Sequence, residues 1–190
     1  MVNFKNLANT LTLARIGLIP FILITFFINY PTPRLIAACL FVLACITDYL
    51  DGFIARKFNQ ETRFGEILDP IADKLLISST LLMLVGFDRI SKFSILAAVI
   101  ILCREILVSG LREYLAEVRV LLSVNFLTKI KTTIQMLALA VLLYIDPQHS
   151  PIALQAIGEL LLWIAAGITL YSGWIYVQTS MDAATENLSA

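Results

Sequence analysis

The sequence is poor in the residues from which most metal and redox sites are built. It holds one histidine, His149, and three cysteines, Cys39, Cys45 and Cys103, in 190 residues. The cysteine spacing fits no zinc pattern, and an odd number argues against a disulfide framework. All three stand inside apolar runs and are expected to be buried, inert thiols. His149, alone in the loop between Asp146 and Pro151, is expected to be solvated. Charge of one sign is also missing. Fourteen basic residues balance fourteen acidic ones, so no basic footprint for nucleic acid exists. Internal repeats and low-complexity stretches are absent. Lys5 precedes an apolar run, but no small-residue cleavage site comes before Pro20. The first hydrophobic segment is therefore expected to be retained.

Apolar residues are what the chain has in excess. They make up 59% of it, with a mean hydropathy of +0.85, against about 45–50% in soluble domains. A helix needs about 20 apolar residues to cross a bilayer. Six stretches qualify, at about 11–28, 35–54, 67–87, 93–115, 126–145 and 152–177. Asn6, Asn9 and Thr10 alternate with leucines before them, which predicts an interfacial helix over 3–14. The expected fold is one all-α integral membrane domain over 1–190, with six transmembrane helices. Lys5, Arg15, Arg56, Lys57, Arg63, Arg119, Lys129 and Lys131 fall at one set of span ends, and only Arg34, Arg89 and Lys92 at the other. That asymmetry places both termini in the cytoplasm.

The most informative stretch runs from Asp48 to Asp73. It contains Asp48, Asp51, Gly52, Ala55 and Arg56, then eight residues, then Gly65, Asp69 and Asp73. Residues three or four apart share a helix face. Asp48, Asp51, Gly52 and Ala55 line one helix, and Gly65, Asp69 and Asp73 line the next. A short link can fold the two into a hairpin on which four carboxylates converge near one membrane surface. Such a group is costly without a partner, and Mg²⁺ or Mn²⁺ would relieve the cost. The glycines clear room for a bulky ligand, and Arg56 offers a fork for phosphate. Asn9, Thr12 and Arg15 gather polar groups on one side of the first helix, either as an anchor or as part of the site. Arg15 could snorkel or reach a phosphate.

Inside the fourth span lies Arg104-Glu105-Ile-Leu-Val108-Ser-Gly-Leu-Arg112-Glu113. Charges within a span are expensive and default to functional candidates. Arg104 and Arg112 lie on one side, two turns apart. Lys129 and Lys131 open the next span and point to nearly opposite sides, so one of them is expected to reach a pocket. These cations can hold a soluble anion; alternatively they bind lipid headgroups or pair with Glu105, Glu113 and Glu117. Trp163, Tyr171, Trp174 and Tyr176 read as interfacial or packing aromatics.

The pattern Asp-x2-Asp-Gly-x2-Ala-Arg-x8-Gly-x3-Asp-x3-Asp, met here at every fixed position, resembles the signature of the CDP-alcohol phosphotransferases. The arginine stretch, the run Lys129-Ile-Lys131-Thr-Thr-Ile-Gln135-Met136 and the opening Asn9 to Arg15 are similar to the branch whose acceptor is sn-glycerol 3-phosphate. The resemblance implies transfer of a phosphatidyl group from CDP-diacylglycerol to that acceptor, with release of CMP. It implies two divalent cations on Asp48, Asp51, Asp69 and Asp73, with Asp73 as general base. Asp51, Gly52, Ala55, Arg56 and Gly65, joined by Asn9 and Thr12, would hold the CDP part. Arg104, Arg112 and Lys129 or Lys131 would hold the acceptor phosphate. It further implies a homodimer in a bacterial inner membrane. Other acceptors within the family are inositol phosphate, serine and phosphatidylglycerol. An intramembrane prenyltransferase would need aspartate motifs in two separated loops. A divalent-cation transporter also fits intramembrane carboxylates.

Overall fold

A computed structural model describes residues 5–28, 31–57, 63–117, 126–146 and 150–189. Among these there are six α-helices, one 3₁₀ turn and no strand: α1 (Lys5–Ile24), the turn Thr25–Phe27, α2 (Pro31–Lys57), α3 (Arg63–Gly86), α4 (Ser94–Glu117), α5 (Phe126–Tyr144) and α6 (Ile152–Ser189). Three stretches are long and apolar enough to cross a membrane, Thr10–Phe27, Ser94–Leu115 and Ile152–Asp182, and Ile130–Tyr144 is a shorter apolar helix.

Two expectations change. The interfacial segment and the first span are one uninterrupted helix, α1, with no glycine or proline at their junction. Pro70 is the eighth residue of α3 and deletes a mid-helix hydrogen bond. Beyond Thr179 the chain continues α6 as far as Ser189. The cysteines are not buried: Cys39 and Cys103 are exposed and Cys45 is half-buried. Helices in lipid turn apolar faces outward, so an apolar neighbourhood in sequence does not mean the protein interior. Leu82, Ile106 and Trp174 follow the same rule and are exposed. His149 lies outside the described residues.

Two compact units are distinguishable. The first comprises Met1–Ile90 and Leu139–Gln155, the second Ser91–Ala138 and Ala156–Ala190. In the first, α1 packs against both α2 and α3. Its inward stripe is Thr12, Arg15, Ile19 and Ile22, all buried, spaced by three and four residues as one helix face requires. The end of α3 is a Schellman cap. Asp88 takes φ 51°, and the Arg89 amide donates to Leu84 O at 2.9 Å and the Asp88 amide to Val85 O at 3.2 Å. The reversal sends Arg89 inward, where Nη1 donates to Leu143 O at 3.1 Å and the guanidinium sits 4.2 Å from the Phe26 ring centre. Burial, then the neighbouring Arg34, push the Arg89 guanidinium down to about 10, with Asp146 opposing. Arg34 forms an ion pair with Asp146.

In the second unit α6 is fastened to the start of α4. The Glu159 carboxylate accepts from the Ser91 amide at 3.0 Å and from the Ser91 and Ser94 hydroxyls at 2.5 Å. Negative charge at a helix N-terminus is favourable. Phe93 stacks on Trp163 with ring centres 4.8 Å apart.

The Arg34–Asp146 pair is mostly buried on both sides, so removing one partner strands the other charge. Asp146→Ala is expected to cost about 3 kcal/mol, roughly 6–12 °C in thermal midpoint in detergent. Adding Arg34→Met should recover part of the loss; a double variant that melts lower still would contradict the pairing.

Candidate active site

The first unit holds the aspartates. Asp48 lies on α2, and Asp69 and Asp73 lie one turn apart on α3. Sequence reasoning had the α2 and α3 stripes facing each other. The structure adds α1 to them. Thr12 Oγ1 donates to Asp69 Oδ1, and Arg15 Nη1 sits 2.6 Å from Asp48 Oδ1. Thr12 and Arg15 are each only 1% exposed, while Asp48 and Asp69 are half-buried, so the α1 side of each contact is shielded from water. Thr12 and Arg15 are three residues apart, and that spacing aims one at α3 and the other at α2.

Arg15 is thus paired with a site carboxylate. Asp48 interacts electrostatically with Asp69, and Cys45, one turn before it, with both Asp48 and Asp73. The three aspartates thus share one neighbourhood. Gly65 is buried one turn before Asp69. The side chains of Asp51, Gly52, Ala55 and Arg56 on α2 and of Asn9 on α1 lie outside those described. Among the described residues no group of three or more His, Cys, Asp or Glu is placed to hold a metal ion. The donor set nonetheless suits a hard dication. It is all carboxylate oxygen, and three aspartates against Arg15 leave negative charge in excess. Magnesium is commonly held by few carboxylates plus substrate phosphates.

The second unit holds the cations. Arg104 is buried and donates from Nη2 to Ser172 Oγ at 2.9 Å. Its Nη1 lies 3.5 Å from Glu105 Oε1, and the same oxygen accepts from Lys131 Nζ. Glu105 is thus shared between two cations, as one of the alternatives above allowed. Lys131 is buried; the side chain of Lys129 lies outside those described. Arg112, two turns beyond Arg104, donates to Tyr176 Oη at 3.3 Å. Both guanidinium carbons lie 5.8 Å from the Tyr176 ring centre. Tyr176 is thus a member of the cation cluster, not only a packing aromatic. Gly173 allows the approach: a Cβ there would stand 3.0 Å from Arg104 Cγ.

Sequence reasoning missed Ser172 and Tyr176 as partners. Their signal was available, since α6 carries a polar stripe at 169, 172, 176 and 180, spaced by three and four residues through an apolar helix.

The comparisons show the family and the fold. A profile of the CDP-alcohol phosphatidyltransferase family matches residues 5–171. The chain is 49% identical to the CDP-diacylglycerol–glycerol-3-phosphate 3-phosphatidyltransferase of Rickettsia bellii, over 90% of this chain and 93% of that one. It is 38% identical to the protein of the same name from Bacillus subtilis, over 94% of this chain and 96% of that one. The crystal structure of apo phosphatidylinositol phosphate synthase from Mycobacterium tuberculosis superposes with a TM-score of 0.62 at 20% identity, covering 96% of this chain and 92% of that one. The fold is therefore shared with that solved structure.

Arg15 offsets part of the repulsion among the aspartates, and removing it shifts that task to a bound cation. Arg15→Met should melt lower than the parent without divalent cations and gain more from added Mg²⁺. Equal Mg²⁺-induced shifts in the two proteins would show that Arg15 does not share the carboxylates' charge balance.

Proposed function

Because the chain belongs to the CDP-alcohol phosphatidyltransferase family, we propose that it transfers the phosphatidyl group of CDP-diacylglycerol to sn-glycerol 3-phosphate, giving phosphatidylglycerophosphate and CMP. The observation that carries the choice of acceptor is the charge of the second cluster. Arg104, Arg112 and Lys131 against Glu105 leave two positive charges, with Arg104 and Lys131 buried and Arg112 exposed. A phosphate monoester carries about −1.5 to −2 at neutral pH. A serine acceptor would have no use for those cations. The names of the Rickettsia and Bacillus relatives point to the same acceptor. Family membership argues against the cation-transporter reading.

The chemistry follows from the two clusters. The primary hydroxyl of the acceptor attacks the phosphatidyl phosphorus, the bond from that phosphorus to the CMP oxygen breaks, and CMP departs with the electron pair. Asp73 takes the hydroxyl proton, as a carboxylate within hydrogen-bond reach can. Asp48, Asp51, Asp69 and Asp73 would hold two divalent cations, Mg²⁺ or Mn²⁺, which supply charge neutralisation on the pyrophosphate and a clamp on the attacking and leaving oxygens. Thr12 and Arg15 keep Asp69 and Asp48 oriented. Gly52, Ala55, Arg56 and Gly65, with Asn9, hold the cytidine diphosphate. Arg104, Arg112 and Lys131, with Lys129 in reserve at the same helix start, hold the acceptor phosphate.

The first unit also has an apolar groove of about 550 Å³ between α2 and α5, lined by Ala38, Val42, Ile46, Val141 and Tyr144 among others. It suits an acyl chain. All six helices cross the membrane in this reading, with the aspartates and both termini at the cytoplasmic face of a bacterial inner membrane, and the enzyme works as a homodimer.

Purified protein supplied with CDP-diacylglycerol and each candidate acceptor should release CMP with glycerol 3-phosphate and not with serine or inositol phosphate; the reverse preference would reject the acceptor. Asp73→Asn should lower CMP release at least 10³-fold, on the scale of a lost general base, while CDP-diacylglycerol binding partly survives. Arg112→Ala should raise the KM for glycerol 3-phosphate about 10-fold or more and leave that for the lipid within about 2-fold, matching one lost charged hydrogen bond.

A further inference from the structure

The second unit contains buried polar groups without partners, two of them on residues that neither cluster uses. Gln135 on α5 is fully buried, and neither its amide nitrogen nor its amide oxygen has a hydrogen-bond partner among the described residues. Thr169 on α6 is fully buried with its hydroxyl in the same condition, and so is the Nε of Arg104. Each such group costs about 1–3 kcal/mol if left unmade, which makes three of them in one small unit a feature to be explained.

The register of Gln135 and Thr169 ties both to the same ion pair. Gln135 follows Lys131 by four residues on the buried stripe of α5, one turn or about 6 Å along the axis. Lys131 is tied to Glu105, the neighbour of Arg104. Thr169 precedes Ser172, the partner of Arg104, by one turn, and its carbonyl accepts from the Ser172 hydroxyl at 3.1 Å. Gln135 and Thr169 are thus each one turn from a residue that is bound to the Arg104–Glu105 pair. Their helices continue into apolar packing, with Ala138, Leu139, Ala165 and Ala166 buried. Arg104 and Lys131 share one level through Glu105, Arg112 lies two turns further along α4, and uncharged donors and acceptors lie one turn from Arg104 and Lys131 on the neighbouring helices. A ligand matching that sequence has a phosphate at one end and a hydroxyl about one helical turn away.

We propose that Gln135, assisted by Thr169, binds the secondary hydroxyl of the acceptor and so determines which phosphorylated alcohol is used. The inference rests on glycerol 3-phosphate being the acceptor, because only its C2 hydroxyl falls between the phosphate and the reacting primary hydroxyl. An amide can donate and accept at once, which suits a hydroxyl. Sites that hydrogen-bond a substrate hydroxyl reject the analogue that lacks it, because their own polar groups are then left unpaired.

The test compares sn-glycerol 3-phosphate with 3-hydroxypropyl phosphate, which keeps the primary hydroxyl and the phosphate but lacks the C2 hydroxyl. CMP release is followed in the parent, in Gln135→Leu and in Thr169→Val. The parent should favour glycerol 3-phosphate in kcat/KM by 10-fold or more. Gln135→Leu should bring the ratio to within about 3-fold of unity, by losing activity on glycerol 3-phosphate and not on the analogue. The ratio does not depend on how much enzyme is folded. If Gln135→Leu is too slow to measure, the ratio in Thr169→Val decides. An unchanged ratio overturns the proposal, since a group that only binds a resident water or supports packing affects both acceptors alike. A parent that does not discriminate overturns it too. A parent that turns over neither compound defeats the acceptor assignment itself, a separate result.

Discussion

Carboxylates gathered among apolar helices repel one another and resist desolvation, and the first unit depends on how that is balanced. Arg15 meets Asp48 and Thr12 meets Asp69, both from one buried stripe of α1. The positions of α2 and α3 against α1 are therefore coupled to the electrostatics of the site. A helix that lost those contacts would leave charge stranded in a poor solvent, a penalty of several kcal/mol. One arginine does not neutralise three aspartates. The remainder is an affinity for dications and for the pyrophosphate they carry.

The second unit solves the opposite problem. Arg104, Lys131 and Arg112 are held by a carboxylate, a serine hydroxyl and a tyrosine, so none depends on water alone. Glu105 is shared by two cations and matches only one. The cluster is organised by neutral partners and left positive. Phosphate binding then needs little reorganisation of the guanidinium groups, which lowers the ordering cost that ligand binding otherwise incurs.

Much of this was legible in the sequence. The aspartate spacing named the family, and the helical rows in α3 and α4 came from intervals of three and four residues. Arg104 and Arg112 were singled out because charge inside an apolar run is costly. The partners were less legible. Thr12 and Arg15 were noticed as a polar side of the first helix, but spacing within one helix does not say which neighbour it meets. Tyr176 looked like any aromatic of a membrane helix until the neighbouring arginines gave it a role. The cysteines were misjudged because apolar surroundings in sequence were taken for the interior, whereas in this fold much apolar surface faces outward. The merging of two expected N-terminal segments into α1 has a similar cause: polarity changes along that stretch, but helix propensity does not.

The clamp from α1 also bears on how the polypeptide is made. Arg15 leaves the ribosome before Asp48, and an unaccompanied arginine within a helix enters a bilayer reluctantly, at about 2.5–3.5 kcal/mol near the centre. Its counter-charge, Asp48, arrives only with the second helix. Partitioning of the two as a neutral hairpin avoids that barrier. The same bond that orders the carboxylates in the folded protein would then join α1 to α2 during its biogenesis.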